Sequence, residues 1–261
     1  ILGDSDSVTV TGFANASQGV TINGFEDTLG TITFNVVDSA AALAGANAGD
    51  SGNLDLADSV SVDTSAAAND LTVSAADDLN AISNYDHAGG YTITDDAAAV
   101  AGSSTTILDD SDSVSVTGFA DATQGVTING FDGATTNTTI TFNVEDSATN
   151  LAANAANLDL ADSVSVDTTA GTTANDLTVD EADDLNSIPG YDHARDYTIT
   201  DDATAVAGSS TIILGDSSSV TVTGVADASQ GVTINGFEDT LGTITFNVRD
   251  NGDGLHGQLG Q

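Results

Sequence analysis

The sequence predicts an all-β chain with short Ala-rich helices, wound as a parallel β-solenoid of about 50-residue, three-strand turns. Three observations lead there. The tetrapeptide Ile1-Leu2-Gly3-Asp4 returns in register at Ile107 and Ile213, a period of 106 residues. Residues 1–36 and 213–248 agree at 33 of 36 positions, the exceptions being Asp6/Ser218, Phe13/Val225 and Asn15/Asp227. A long repeat this clean marks one structural unit copied along a line, so fold and function become properties of the array. Finally, Val, Ile, Leu and Phe alternate with Thr, Ser and Asn in short runs, the pattern of strands with one buried and one wet face.

Within the first copy the alternating runs are 8–11, 19–25 (centred on Val20-Thr21-Ile22), 31–36, 59–63, 71–73 and 91–94. Three segments break that period: 39–46 (SAAALAGA), 75–82 (AADDLNAI) and 96–101 (DAAAVA). They read as short helices packed by Ala, each following a strand and opening on a cap: Asp38 or Ser39, Ser74, and Asp95 or Asp96. Ser74-Ala75-Ala76-Asp77 resembles a capping box with Asp in place of Glu. Each half of a copy then holds three strands, with equivalent strands of successive turns stacked about 4.8 Å apart. Length changes between copies mark loops: 44–53 shrinks in the second copy, while 26–30 and 64–70 are replaced by the longer 132–138 and 168–176. The alternative is a string of β-sandwich domains of about 100 residues each. No Trp, only four Tyr and the strand–helix alternation favour the solenoid. The array covers 1–248, as copies 1–106 and 107–212 and a partial copy 213–248, followed by a Gly-rich tail or linker, 249–261. Ile1 falls inside the repeat pattern, so the sequence is expected to start after a removed segment or to be a piece of something longer.

Forty Asp and Glu face two Arg and no Lys, a formal charge of −38. Nucleic-acid and anionic-membrane binding both need clustered cations, so neither partner is expected. No run is long enough to insert in a membrane as a helix. High net charge is also a signature of disorder, but 39% apolar residues in periodic runs argue for a folded, self-repelling chain that needs counter-cations. The absence of Cys and Met and the single Pro189 point to secreted, extracellular or cell-surface material held by its core and by metal.

The acidic clusters are the candidate metal ligands: Asp4, Asp6, Asp110, Asp112, Asp216, Glu26, Asp27, Glu238 and Asp239, with Asp58 and Asp162 of the same character. Carboxylate and carbonyl oxygens at turns suit Ca²⁺, which takes six to eight oxygen ligands in flexible geometry; the same Asp residues also cap helices and start turns. Asp250 and Asp253, in Arg249-Asp250-Asn251-Gly252-Asp253-Gly254, share the spacing of part of a calcium loop, with no acidic residue to close it. The loops Asn84-Tyr85-Asp86-His87 and Gly190-Tyr191-Asp192-His193 suggest an Asp–His pair, but neighbours in sequence do not readily adopt an acid–base geometry. Recurrence with the repeat favours a structural corner. Thr-x-Thr pairs such as Thr92/Thr94 are ordinary exposed strand residues that on a flat face could order ice. Asn15-Ala16-Ser17 and Asn137-Thr138-Thr139 fit the N-glycosylation pattern.

The phrases YTITDDAAAVAG (91–102), YTITDDATAVAG (197–208) and DLTVDEADDLNSI (176–188) resemble the Asp/Thr/Ala-rich strand repeats of giant secreted bacterial surface proteins. That group includes adhesins, hemolysin-type calcium-binding proteins and S-layer-like proteins. Near-identical tandem copies, strand edges at both solenoid ends and the acidic composition point to a structural extracellular protein that forms or extends a surface filament, S-layer or adhesin stalk, stabilised by calcium, in which pairing of the open edges end to end would propagate a fibre. The glycine-rich nonapeptide of the calcium-binding members is absent, so no ligand set carries over. The second reading is a calcium-dependent module that binds a surface polysaccharide or a partner cell. An enzyme is not expected: polysaccharide lyases of β-solenoid form need a cation beside the metal, and neither Arg recurs between copies.

Overall fold

A computed structural model describes residues 7–29, 31–49, 51–135, 138–241 and 243–249, the side chains of 26–29 and 239–240 excepted. The all-β expectation is overturned. The chain is mixed α/β, 38% helical and 28% strand, with three parallel sheets and 11 α-helices among the described residues. The three-strand solenoid turn and the sandwich fall with it.

The chain divides into two compact units, 1–118 with 130–142, and 119–129 with 143–261. The first unit begins β1 (Ser7–Ala14), α1 (Ala16–Leu29), β2 (Thr31–Asp38), α2 (Ala40–Ala46) and β3 (Ser59–Val62). It continues β4 (Asp70–Leu71), α3 (Val73–Asn80), β5 (Thr92–Asp96), α4 (Ala97–Ala101) and α5 (Thr105–Asp109). Next come β6 (Ser113–Ala120), α6 (Ala122–Asp132) and β7 (Thr139–Asp146), which contribute residues to both units. The second unit repeats the pattern with α7 (Ala148–Asn154), β8 (Ser163–Val166), β9 (Asp176–Leu177), α8 (Val179–Asn186) and β10 (Thr198–Asp202). It ends with α9 (Ala203–Gly208), α10 (Thr211–Gly215), β11 (Ser219–Thr223), α11 (Ala228–Leu241) and β12 (Ile244–Thr245).

Strand order is sequential in every sheet: β1-β2-β3, β4-β5-β6-β7-β8 and β9-β10-β11-β12. Within each sheet a strand lies parallel to the next strand in sequence, as at Ser7↔Thr31, Thr92↔Ser113 and Thr198↔Ser219, and the sheets break between β3 and β4 and between β8 and β9. A parallel neighbour demands a crossover, and here the crossover is a helix. The structural step is therefore one strand plus one helix. A 106-residue copy holds four such steps, beginning at β1, β2, β3 with β4, and β5. The expected one-sided burial is present: Ile32, Phe34 and Val36 are buried while Thr31 and Thr33 are exposed. Inner residues such as Phe34, Leu43, Leu79 and Ile93 in the first unit, and Leu151, Val164, Leu185 and Ile199 in the second, are fully buried between strand and helix.

The expected strand at 19–25 is the main local error. It lies inside α1, and its counterparts lie inside α6 and α11. Val, Thr and Ile at alternate positions carry strand propensity, but a reciprocal cap starts a helix instead. Gln18 N–H donates to Asn15 Oδ1 at 2.9 Å and Asn15 N–H to Gln18 Oε1 at 3.0 Å. Asp121/Gln124 and Asp227/Gln230 repeat the exchange, a capping box with Gln at the third helical position. Gly19 then lets the helix press on the sheet: a Cβ there would lie 2.8 Å from Leu54 Cδ2 and 2.9 Å from Val36 Cγ2. The helices expected at 39–46, 75–82 and 96–101 are present as α2, α3 and α4. Ser39 and Asp96 cap as expected, but α3 is capped by Thr72 rather than Ser74, its hydroxyl accepting from Ala75 N–H.

Candidate functional site

The acidic residues at strand ends act between neighbouring steps. Asp38 Oδ2 accepts from Ala16 N–H, the first residue of the preceding helix, and Oδ1 from Ser39 N–H. Asp95, Asp146 and Asp201 do the same for Val73, Ala122 and Val179, all at 2.7–3.0 Å. Carboxylates at helix N-termini satisfy orphan N–H groups and complement the dipole. Asn69 and Asn175 take this place for Ala40 and Ala148, with Nδ2 donating to the carbonyls of Asp63 and Asp167. Asp38 and Asp95 are thus caps, as the sequence suggested, but of the helix one step earlier.

The densest group of chemistry-bearing side chains is the corner between α3 and β5. His87 Nδ1 lies 2.5 Å from Asp110 Oδ2 and 3.1 Å from Asn80 Oδ1. Asn80 Nδ2 donates to Tyr91 Oη at 3.1 Å and to Ala76 O. The Tyr85 ring stands edge-on to the imidazole with centroids 4.9 Å apart. Asp112 Oδ1 accepts from Gly90 N–H at 3.1 Å. The backbone is left-handed at Asn84, His87, Gly89 and Gly90, a costly conformation for the two non-glycine residues. The second unit builds the same corner: His193 Nδ1 is 2.6 Å from Asp216 and 3.0 Å from Asn186, and Asn186 donates to Tyr197 at 2.9 Å. The two copies differ in a matched pair. A Cβ at Gly89 would meet Asp112 Oδ1 at 2.7 Å; where Gly89 becomes Arg195, Asp112 becomes Ser218.

An aspartate that orients an imidazole is half of an acid–base dyad. The other half is missing from the corner's own hydroxyls. Ser111, which lines the cavity with His87, donates its Oγ–H to Leu108 O at 2.8 Å and is buried, and Ser217 does the same to Leu214 O. The partner of each His is the acid 23 residues on, not the adjacent Asp86 or Asp192, a pairing that the sequence already disfavoured. Only the three-dimensional stacking of steps brings them together.

Burial pushes the Tyr85 hydroxyl well above the ordinary range, with nearby Tyr91, Asp86, Asp110 and Asp112 adding to the effect. Tyr91 is pushed up to about 12, again chiefly by burial, against the opposing Asn80 hydrogen bond. A folded-state value raised above the usual 10 means that this stability is fully present below pH 10 and is lost as pH rises toward 12. Tyr85 Oη and Tyr191 Oη are buried without a hydrogen-bond partner among the described residues. Tyr85→Phe is therefore expected to leave stability unchanged or raise it by up to about 1 kcal/mol, whereas Tyr91→Phe costs about 1 kcal/mol. Urea midpoints of the two variants decide it, and equal losses would contradict this hydrogen-bond assignment.

Of the metal candidates, Asp110 and Asp216 are bound to His87 and His193, and Asp112 accepts from Gly90. Asp110 and Asp112 line one cavity, and Glu238 lies half-buried on α11. Asp58 accepts from Phe34 N–H at 2.7 Å. The side chains of Glu26, Asp27 and Asp239, and all of Asp4, Asp6, Asp250 and Asp253, lie outside the described residues, as does Asn137 of the second glycosylation pattern. Among the described residues no three His, Asp or Glu converge in a way that could hold a metal ion. No described helix is long and apolar enough to cross a membrane. The fold and its corners define a parallel α/β repeat array. No protein-family model, curated protein or solved structure matches the chain.

Proposed function

We propose that the chain is a structural repeat segment of an extracellular or cell-surface filament, S-layer or adhesin stalk. One observation carries this reading: the polar constellations recur from copy to copy with nearly the same geometry, and each ties one strand–helix step to the next. His87–Asp110 and His193–Asp216 differ by 0.1 Å. Catalysis needs one productive site, whereas a scaffold that transmits its order along its length needs the same tie at every step. The half-exposed imidazole then serves as a staple across a strained loop rather than as a base.

Calcium belongs to this proposal as a counter-ion. Several carboxylates are engaged as caps and staples, and among the described residues no three acidic or His side chains converge on a cage. The chain's formal net charge of −38 nonetheless repels itself along the array, and cations gathered on the surface relieve that repulsion. Electron microscopy of the purified chain, with and without calcium, is expected to show fibres or ordered end-to-end assemblies. Short monodisperse particles under both conditions would rule out the structural reading.

A further inference from the structure

We infer that each unit carries, on the strand face turned away from the helices, a binding platform for an uncharged polysaccharide, built on Phe13, Asn35 and Ser59 in the first unit and on Phe119, Asn143 and Ser163 in the second. The first observation is an exposed aromatic ring held by a special backbone conformation. Phe13 is 72% and Phe119 56% exposed, although Ala14 and Ala120 beside them are buried. β6 is an inner strand of its sheet, so the exposure of Phe119 owes nothing to an open edge. Each ring follows a glycine in the left-handed region, Gly12 at φ +87° and Gly118 at +74°, where an added Cβ would meet nothing within 4 Å. The register of β1 on β2 shifts between Thr9 and Phe13, and a bulge of this kind re-aims a side chain.

The second observation is an oriented amide beside the ring. Phe13 pairs with Asn35, and Asn35 with Ser59, across three neighbouring strands. Phe119, Asn143 and Ser163 hold the same positions in the second copy. Ser59 Oγ–H donates to Asn35 Oδ1 at 2.7 Å, and Ser163 Oγ–H to Asn143 Oδ1 at 2.6 Å. The hydroxyl fixes the amide. Nδ2 of both asparagines makes no hydrogen bond among the described residues, so its two donors stay free for a ligand.

A pyranose ring suits this pair of groups. One of its faces is made of C–H groups that stack on an aromatic ring, and its rim of hydroxyls accepts from an amide. Neighbouring strands lie about 4.8 Å apart, so Phe to Ser spans about 10 Å, the length of about two sugar rings. Charge then selects among polysaccharides. The outward positions of β1, β2 and β3 are Ser, Thr, Gly, Asn, Phe and Val, without an acid or a base. The second copy adds only Glu145, in the place of Val37. A face without cations gives a uronate or sulfated chain nothing to pair with, and the net charge of −38 repels it. An uncharged chain meets neither cost.

The third copy supplies the variant that tests it. Val225 stands where the other copies have Phe, so Phe13→Val combined with Phe119→Val introduces a side chain that the fold already accepts at this place. Native gels cast with hydroxyethyl cellulose, laminarin or dextran, all uncharged, are expected to retard the unaltered chain in at least one case, with calcium or with EDTA. Polygalacturonate is expected to leave its migration unchanged. The double Val variant, at an unchanged urea midpoint, is expected to bind about tenfold or more weakly, as is Asn35→Ala combined with Asn143→Ala. No retardation by any of the three polymers, equal retardation of the double Val variant, or retardation that requires calcium overturns the platform. The inference is independent of the filament reading. Filaments without retardation leave that reading standing and refute this one; retardation without filaments does the reverse.

Discussion

Asp146→Ala is expected to destabilise the chain by about 2–4 kcal/mol, seen as a lower urea midpoint at unchanged slope. The Asp146 carboxylate accepts Ala122 N–H at 2.9 Å and Ser147 N–H at 2.7 Å, and Asn150 Nδ2 also donates to it. Ala122 is 1% exposed and Ser147 6%, so water does not readily replace the lost acceptor. Two backbone donors would be left in a poorly hydrated place, each costing about 1–3 kcal/mol. Asp146→Asn provides the internal control. Asn69 and Asn175 already hold the equivalent N–H groups of Ala40 and Ala148 with a side-chain amide. The Asn variant should therefore lose only about 1 kcal/mol, one acceptor being kept. If Ala and Asn behave alike, the strand-end acid is surface decoration and not a tie between steps.

The second large effect is a reversal of sign within one helix. Gly125→Ala is expected to destabilise by about 1–3 kcal/mol, the usual result of overpacking. Gly130→Ala is expected to stabilise by about 0.5–1 kcal/mol, the usual gain in a helix interior. Both glycines lie in α6. At Gly125 an added Cβ would lie 2.8 Å from Val144 Cγ2 and 3.0 Å from Leu158 Cδ2, while at Gly130 nothing lies within 4 Å. Gly19 and Gly231 occupy the same buried place in the other copies, against Val36 with Leu54 and against Val248. Equal and favourable responses at both positions would show that the helix does not press on its strand as described.

Much of the local structure was legible in the residues. The strands at 31–36 and 59–63, the helix at 39–46 and the one-sided burial all follow from period and capping, and the structure has them. The architecture was lost mainly on two segments. GVTINGF alternates like a strand, and reading it so gave one half of each copy its third strand; in the other half the third strand was read at 71–73, where the strand is only Asp70–Leu71 and Val73 already opens α3. The opposing signal was Asn15 or Asp121 followed three residues later by Gln, which closes a helix cap. Once 16–29 is helical, strand and helix alternate throughout and the stacking partner becomes the next strand. The corner sites were half legible. His87 and Asp110 were each conspicuous, but their pairing depends on which steps are neighbours, and no local pattern in the sequence states that.

The ties between steps also bear on how such a chain changes over generations. Beyond its own step, each strand-end acid reaches only the helix of the step before it, and Asp and Asn stand in for one another at that post. An unequal exchange between gene copies that gains or loses a whole 106-residue period returns every acid to a helix start it already fits. Growth and shortening then need no new contact to be invented. Selection can set the length of the array as a quantity separate from its stability, and the near-identity of 1–36 with 213–248 is what recent copying of that kind leaves behind.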